Sequence, residues 1–151
     1  MRNQDCIRRN KRRQKGSALL ELAVLTPLLA LILAGTMELS RVFYTATAVA
    51  SAARAGAQYA LKSSSTTTDF TGIQNAATSD ASGISGITAT ASQFCECSDG
   101  SSTTCGTGGC GGSMTERTYV KVVTSATFNT LGNWGIPNSI AVRNQASVRV
   151  K

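Results

Sequence analysis

Four cysteines, Cys95, Cys97, Cys105 and Cys110, stand in a C-x-C-x7-C-x4-C spacing within a stretch dense in Gly, Ser and Thr. Four thiols can build a tetrahedral zinc site or two disulfides, and the spacing lacks the paired C-x-x-C arrangement of zinc ribbons. The second chemically informative group is Glu21, the only charge between Ala18 and Met37. A carboxylate inside a membrane span costs about 2.5 to 3.5 kcal/mol on insertion scales, so it needs a partner or a route to the interface. Catalytic material is scarce: the chain has no His, four Asp and four Glu. The commonest general base and zinc ligand are therefore missing. The Gly-rich run from Gly106 to Gly112 contains no Lys and lacks the strand-to-helix setting of a phosphate loop. No enzymatic activity, cofactor or metal is expected.

The elements that position these groups begin with a basic head. Of the 151 residues, the first 15 hold Arg2, Arg8, Arg9, Lys11, Arg12, Arg13 and Lys15 against Asp5 alone, so most of the net charge of +7 lies in a short tail. Ala18 to Met37 then supplies 20 residues interrupted only by Glu21, Thr26, Pro27, Gly35 and Thr36. That length suits a helix crossing a hydrocarbon core. The positive-inside rule holds the tail in the cytoplasm and sends the rest outward. Topology accounts for the tail's charges without nucleic acid, and no aromatic residues interleave them for base stacking. A cleavable secretory signal has a shorter apolar core ending in small residues. Here the span runs on into further helical pattern.

In that continuation Leu39, Val42, Phe43, Ala46, Val49, Ala50, Ala53, Ala57, Ala60 and Leu61 recur at three- and four-residue steps. Arg41, Thr45, Ser51, Arg54, Gln58 and Lys62 take the other face. One helix from Ala18 to Leu61 is expected, about 65 Å long at the standard rise, apolar all round in its first half and amphipathic in its second. Phe43, Val49 and Ala53 are expected in the core, where apolar stripes usually sit. The small Ala side chains suit close packing more than a roomy pocket.

At the head of the span, Gly16 precedes Ser17, Ala18, Leu19, Leu20 and Glu21. This resembles the prepilin peptidase site of type IV pilin-like precursors, cut after Gly with a Glu at the fifth mature position. The resemblance implies a mature chain starting at Ser17, with Glu21 meeting the free amine of a neighbouring subunit. Snorkelling of Glu21 to water or to its own tail is the alternative. The longer stretch Lys15 to Ala60, KGSALLELAVLTPLLALILAGTMELSRVFYTATAVASAARAGAQYA, resembles the TadE-like family of the tight adherence (Tad) pilus and secretion system. Gly16, Glu21, Pro27, Glu38, Arg41 and Tyr44 carry the likeness, followed by Ala52, Ala53, Arg54, Gly56, Ala57, Tyr59 and Ala60. Ala55 stands where family members often carry Glu, so a charge interaction at that step is missing. The C-terminal two-thirds match only in general layout.

Glu38 and Arg41 lie three apart just past the span, worth about 0.2 to 0.5 kcal/mol as an exposed pair. They mark the outer interface, with Tyr44 as an aromatic anchor, or else make a contact between subunits. Beyond a Ser/Thr-rich connection, Asp69 is placed to cap a helix reaching Thr78. Strands are expected at Thr88 to Phe94, Tyr119 to Phe128 and Ile140 to Val150. Gly132 to Asn138, with Pro137, reads as a loop, and Trp134 as a cover for the sheet edge. Outside the cell the four cysteines favour two disulfides over zinc, with Cys95 to Cys97 the least favoured pairing and the connectivity otherwise open. Cys6 is left over in the tail.

The expected fold class is α+β: a long N-terminal helix, a small antiparallel sheet and a disulfide-clamped loop, as in pilins. The expected segments are a leader at 1–16, the helix at 17–61 and an extracytoplasmic domain at 62–151. The resemblance implies a minor pilin or pseudopilin, single-pass in the inner membrane with its N-terminus cytoplasmic. Its implied partners are the bilayer, other pilin-like subunits with the Tad machinery, and the prepilin peptidase. The competing reading is an uncut signal-anchored surface protein with a disulfide-stabilised binding domain.

Overall fold

The computed structural model describes residues 3–131 and 138–150, with side chains from Ala18 onward. Trp134 and Pro137, and the side chains of Cys6 and Ser17, lie outside the described residues. The elements in chain order are α1 (Asn3–Ala60), α2 (Phe70–Asp80), β1 (Thr88–Cys97), β2 (Ser102–Thr103), β3 (Glu116–Asn129) and β4 (Ser139–Arg149). Two compact units result, Met1–Ser40 and Arg41–Lys151.

The first unit is helix alone. α1 starts at Asn3, ahead of the expected Ala18, because Arg, Lys and Gln are good helix formers, a preference that here outweighs the repulsion among the basic side chains and with the positive end of the helix dipole. Its apolar part has no cover of its own: the leucines of the span are between 46% and 70% exposed. The side-chain hydroxyls there are satisfied within the helix, Thr26 donating to the Leu22 carbonyl at 2.7 Å and Thr36 to that of Leu33 at 2.9 Å. They therefore add little penalty in an apolar medium. Among the described residues, Ala18–Ala60 contains one stretch long and apolar enough to cross a membrane, and the chain is anchored by this single pass.

In the second unit the strands form one antiparallel sheet in the order β2-β1-β3-β4. β3 is the centre, and its alternation is nearly unbroken: Thr118, Val120, Val122, Thr124, Ala126 and Phe128 are buried while the residues between them face outward. Period-two burial of this kind follows from one covered face. The cover is the later part of α1 together with α2, and Ala57, Ala60, Ile73, Ala77, Val120 and Val122 form the central cluster. The connection into α2 ends at Asp69, whose Oδ1 accepts the Gly72 N–H at 2.9 Å, as an N-cap should.

The buried stripe of α1 differs at both ends from the expected one. Val49, Ala53, Ala57 and Ala60 lie inside as read from the sequence, but Phe43 is 62% exposed, Leu39 and Leu61 also face out, and Thr45 is buried. Stepping back from Val49 by four reaches Thr45, and the narrow Ala stripe leaves no room to swing round to Phe43. Thr45 tolerates burial because its hydroxyl donates to the Arg41 carbonyl at 3.0 Å. The register is pinned by Thr124, whose hydroxyl donates to the Val49 carbonyl at 2.7 Å in the buried contact between helix and sheet.

Gly56 marks the closest approach. A Cβ there would lie 3.0 Å from Val122 Cγ1, 3.1 Å from Ala77 Cβ and 3.1 Å from the Ile73 carbonyl oxygen. Alanine would gain up to about 1 kcal/mol of helix propensity, but overpacking against three fixed neighbours costs about 1 to 3 kcal/mol. Gly56→Ala should therefore lower stability by about 1 kcal/mol, and Gly56→Leu by several times that. Thermal unfolding of the detergent-solubilised chain checks this, and a raised midpoint for Gly56→Ala would rule out the close approach.

Candidate functional site

The residues singled out in the sequence fall into two places. Gly16, Glu21 and Pro27 lie on the first part of α1, which continues unbroken through Gly16. Gly16 has open space around it, and a helical glycine costs about 1 kcal/mol relative to alanine, so this is an easy point for the helix to open. Glu21 is exposed on the helix, with Val24 and Leu25 three and four residues on along the same face, an apolar surface carrying one carboxylate. Pro27 sits inside the helix, where it has no N–H to give to the carbonyl four residues earlier.

Glu38 is half-exposed, while Leu39, Phe43 and Tyr44 are each more than half exposed. Arg41 has a partner that its sequence neighbours do not announce: its guanidinium carbon lies 5.1 Å from the Phe128 ring centroid. A cation held over an aromatic face in this way contributes about 0.5 to 1 kcal/mol. Arg54 faces outward, whereas Gly56 is buried inside the second unit, where it serves packing within one chain. Tyr59, three residues on, donates its hydroxyl to Asp69 Oδ2 at 3.1 Å, tying the end of α1 to the cap of α2. That hydrogen bond, and then the charge of the Asp69 carboxylate, raise the Tyr59 phenol above its usual 10.0. Gly72 completes the clasp, since a Cβ there would collide with Asp69 Oδ2 and lie 2.7 Å from the Tyr59 oxygen.

The cysteines pair as Cys95–Cys105 and Cys97–Cys110, with Cα separations of 5.1 and 5.6 Å. β1 places Cys95 and Cys97 on the covered face of the sheet, where they are 2% and 3% exposed. The bridges thus draw the glycine-rich segment after β2 over the end of the sheet. Thr118 Oγ1 lies 3.5 Å from Cys95 Sγ, and the hydroxyl is the donor because a bridged sulfur has no hydrogen. Glu116 Oε1 accepts the Gly106 N–H at 2.8 Å, and Gly106 has φ +77°, a conformation that favours glycine. On the β1–β2 turn, the Ser101 hydroxyl and N–H both donate to Asp99 Oδ1, at 2.7 and 3.0 Å, and hold the Asp99 carboxyl below its usual 3.8. Cys95, Cys105 and Glu116 have their donor atoms within 4.8 Å of one another, but metal binding needs thiolate, and here the two sulfurs are bonded to each other. The chemistry of this cluster is cross-linking.

Three features escaped the sequence reading. β2 has two residues, too few to show a period. The Tyr59–Asp69 clasp joins positions ten apart through a turn, although a Tyr in the last turn of one helix with Asp capping the next was a usable signal. The Arg41–Phe128 pair spans most of the second unit and left no trace in local pattern.

In comparison with known protein families, residues 16–58 fit the family model for TadE-like protein. The matched segment runs from the proposed processing site through the apolar span to the buried Ala stripe. No curated protein and no solved structure matches the chain.

Proposed function

We propose that this chain, a membrane protein with a TadE-like helix, is a minor pilin or pseudopilin, a structural component of a Tad-type pilus or secretion assembly. The observation that carries the reading is the exposed apolar surface of α1 with its single carboxylate, Glu21, five residues past Gly16 inside the matched segment. An apolar surface of this extent requires lipid or partner helices to cover it. The basic leader at 1–16 stays in the cytoplasm and the 62–151 domain lies outside the inner membrane, as the placement of charge favours. The prepilin peptidase cuts between Gly16 and Ser17, where the helix opens most easily. Phe43 and Tyr44, exposed just beyond the span, sit at the outer interface as amphipathic aromatics do. The role is mechanical: the family is a structural one, and the chain works by packing, with pilin-like subunits and the Tad machinery as its partners.

The test is amino-terminal sequencing of the protein extracted from membranes, with or without co-expressed prepilin peptidase. The expected product begins at Ser17 only when the peptidase is present. An intact Met1 in both samples would instead leave an uncut signal-anchored surface protein.

A further inference from the structure

We infer that the outward face of the sheet is a binding surface for an acidic polysaccharide. The inference rests on the proposal that residues 62–151 lie outside the cell. In the strand registers, Arg149 lies opposite Tyr119, Ser147 opposite Lys121, and Arg143 opposite Ser125, all on the face away from the helices. Arg117 shares that face opposite Glu96, the one acidic residue among the cross-strand partners there. Beyond α1 the sequence holds six cations and five acids, so its charge nearly cancels. Their placement does not: four of the six cations stand on this one face. Asp69 and Asp80 sit at the ends of α2, Asp99 in the β1–β2 turn, and Glu116 turns to Gly106 on the covered side.

The geometry fits an extended anionic chain. Arg143 and Arg149, six residues apart on β4, are separated by about 20 Å at the usual strand rise, with Lys121 between them on the neighbouring strand. Such spacing offers repeated charge contacts along a polymer and little enclosure for a small anion. The surface between the cations carries hydroxyls and amides, including Ser92, Gln145 and Ser147, suited to sugar hydroxyls. Phe94 and Tyr119 stack at 5.2 Å with their rings 11° from parallel. Each ring closes one face of the other, so the pair stands on this surface as an apolar ridge against which a sugar ring packs, with no slot between the rings for an intercalating nucleic-acid base.

The test uses the full chain in a neutral detergent micelle, with Arg8, Arg9, Arg12 and Arg13 changed to Gln so that the tail does not capture polyanions. Retention by polygalacturonate, neutral dextran and duplex DNA is compared by affinity electrophoresis. Polygalacturonate should retard the chain, dextran should not, and Lys121→Gln/Arg143→Gln/Arg149→Gln should weaken the retention at least tenfold while both disulfides remain intact by mass. If that variant fails to fold, Arg143→Gln alone, at an exposed position, should weaken it about twofold to fivefold. Lys62→Gln, off the sheet, should leave it unchanged. Equal retention by dextran, tighter retention by DNA, or an unaffected Arg143→Gln variant would overturn the inference. Because the assay is made on purified protein, its outcome is independent of where the domain resides, which protease accessibility in cells reports separately.

Discussion

Replacing Cys95, Cys97, Cys105 and Cys110 together by serine is expected to cost about 5 kcal/mol and to leave the second unit unfolded at growth temperature. The bridges close loops with sequence separations of 10 and 13 residues, each worth roughly 3 kcal/mol in the chain-entropy model. The sum is cut somewhat because the second closure acts on a chain the first has already shortened. A second cost is local. Cys95 and Cys97 are buried on the covered face, so serine in their place takes a hydroxyl into the core. Loss of the clamp also frees the Gly-rich segment that Cys105 and Cys110 hold against the covered face at this end of β1. The measurement is thermal unfolding of the oxidised wild type, the two single-bridge variants and the variant with no bridges. Intact mass after alkylation without reduction confirms the thiol count. A variant with no bridges that unfolds at the wild-type midpoint would show that the sheet is stable without them.

How much of this was readable beforehand follows from the physics of each element. The apolar span, Asp69 as a cap and three of the four strands were legible because each leaves a short-range signature: an uninterrupted apolar run, a carboxylate one step before a helix, or alternation along β3. The number of bridges was legible from four cysteines in a stretch expected outside the membrane, yet their pairing was not. Connectivity is set by where β1 and the following turn place the chain, and the Cys97–Ser101 turn that redirects it depends on the backbone bond from Cys97 N–H to the Ser101 carbonyl at 2.8 Å. The error at Phe43 has a similar origin. Three- and four-residue steps leave two routes along an Ala-rich helix, and the choice between them was made by Thr124 and Val122 on a strand some 70 residues away. For the processing and assembly residues the sequence motif still carries the argument. Gly56 is the exception, because its place in the motif has a packing reason inside a single chain.

Glu21→Leu is expected to leave membrane insertion and folding intact and to abolish assembly. Leucine makes the span more apolar, so insertion should improve if anything. The second unit begins at Arg41 and holds both bridges, and Glu21 belongs to the first unit, so disulfide formation should match wild type. Assembly is different, because in the proposed mature form the carboxylate is the group that pairs with the Ser17 amine of a neighbouring subunit. Removing it leaves that amine charged and unpaired in a contact of low dielectric, at a cost of about 3 to 5 kcal/mol when one side of a buried pair is lost. At about 1.4 kcal/mol per factor of ten, this corresponds to a hundredfold to several-thousandfold weaker association per contact. Glu21→Gln separates charge from shape, since the amide keeps the length and a hydrogen-bond acceptor but loses the ion pair; it should assemble poorly, though better than Leu. Membrane level, disulfide state and recovery of the subunit in sheared or cross-linked assemblies are compared for the three proteins. Wild-type recovery of the Leu variant would mean that Glu21 only reaches along the helix to the interface, leaving the apolar surface of α1 to hold the subunit by lipid contact alone.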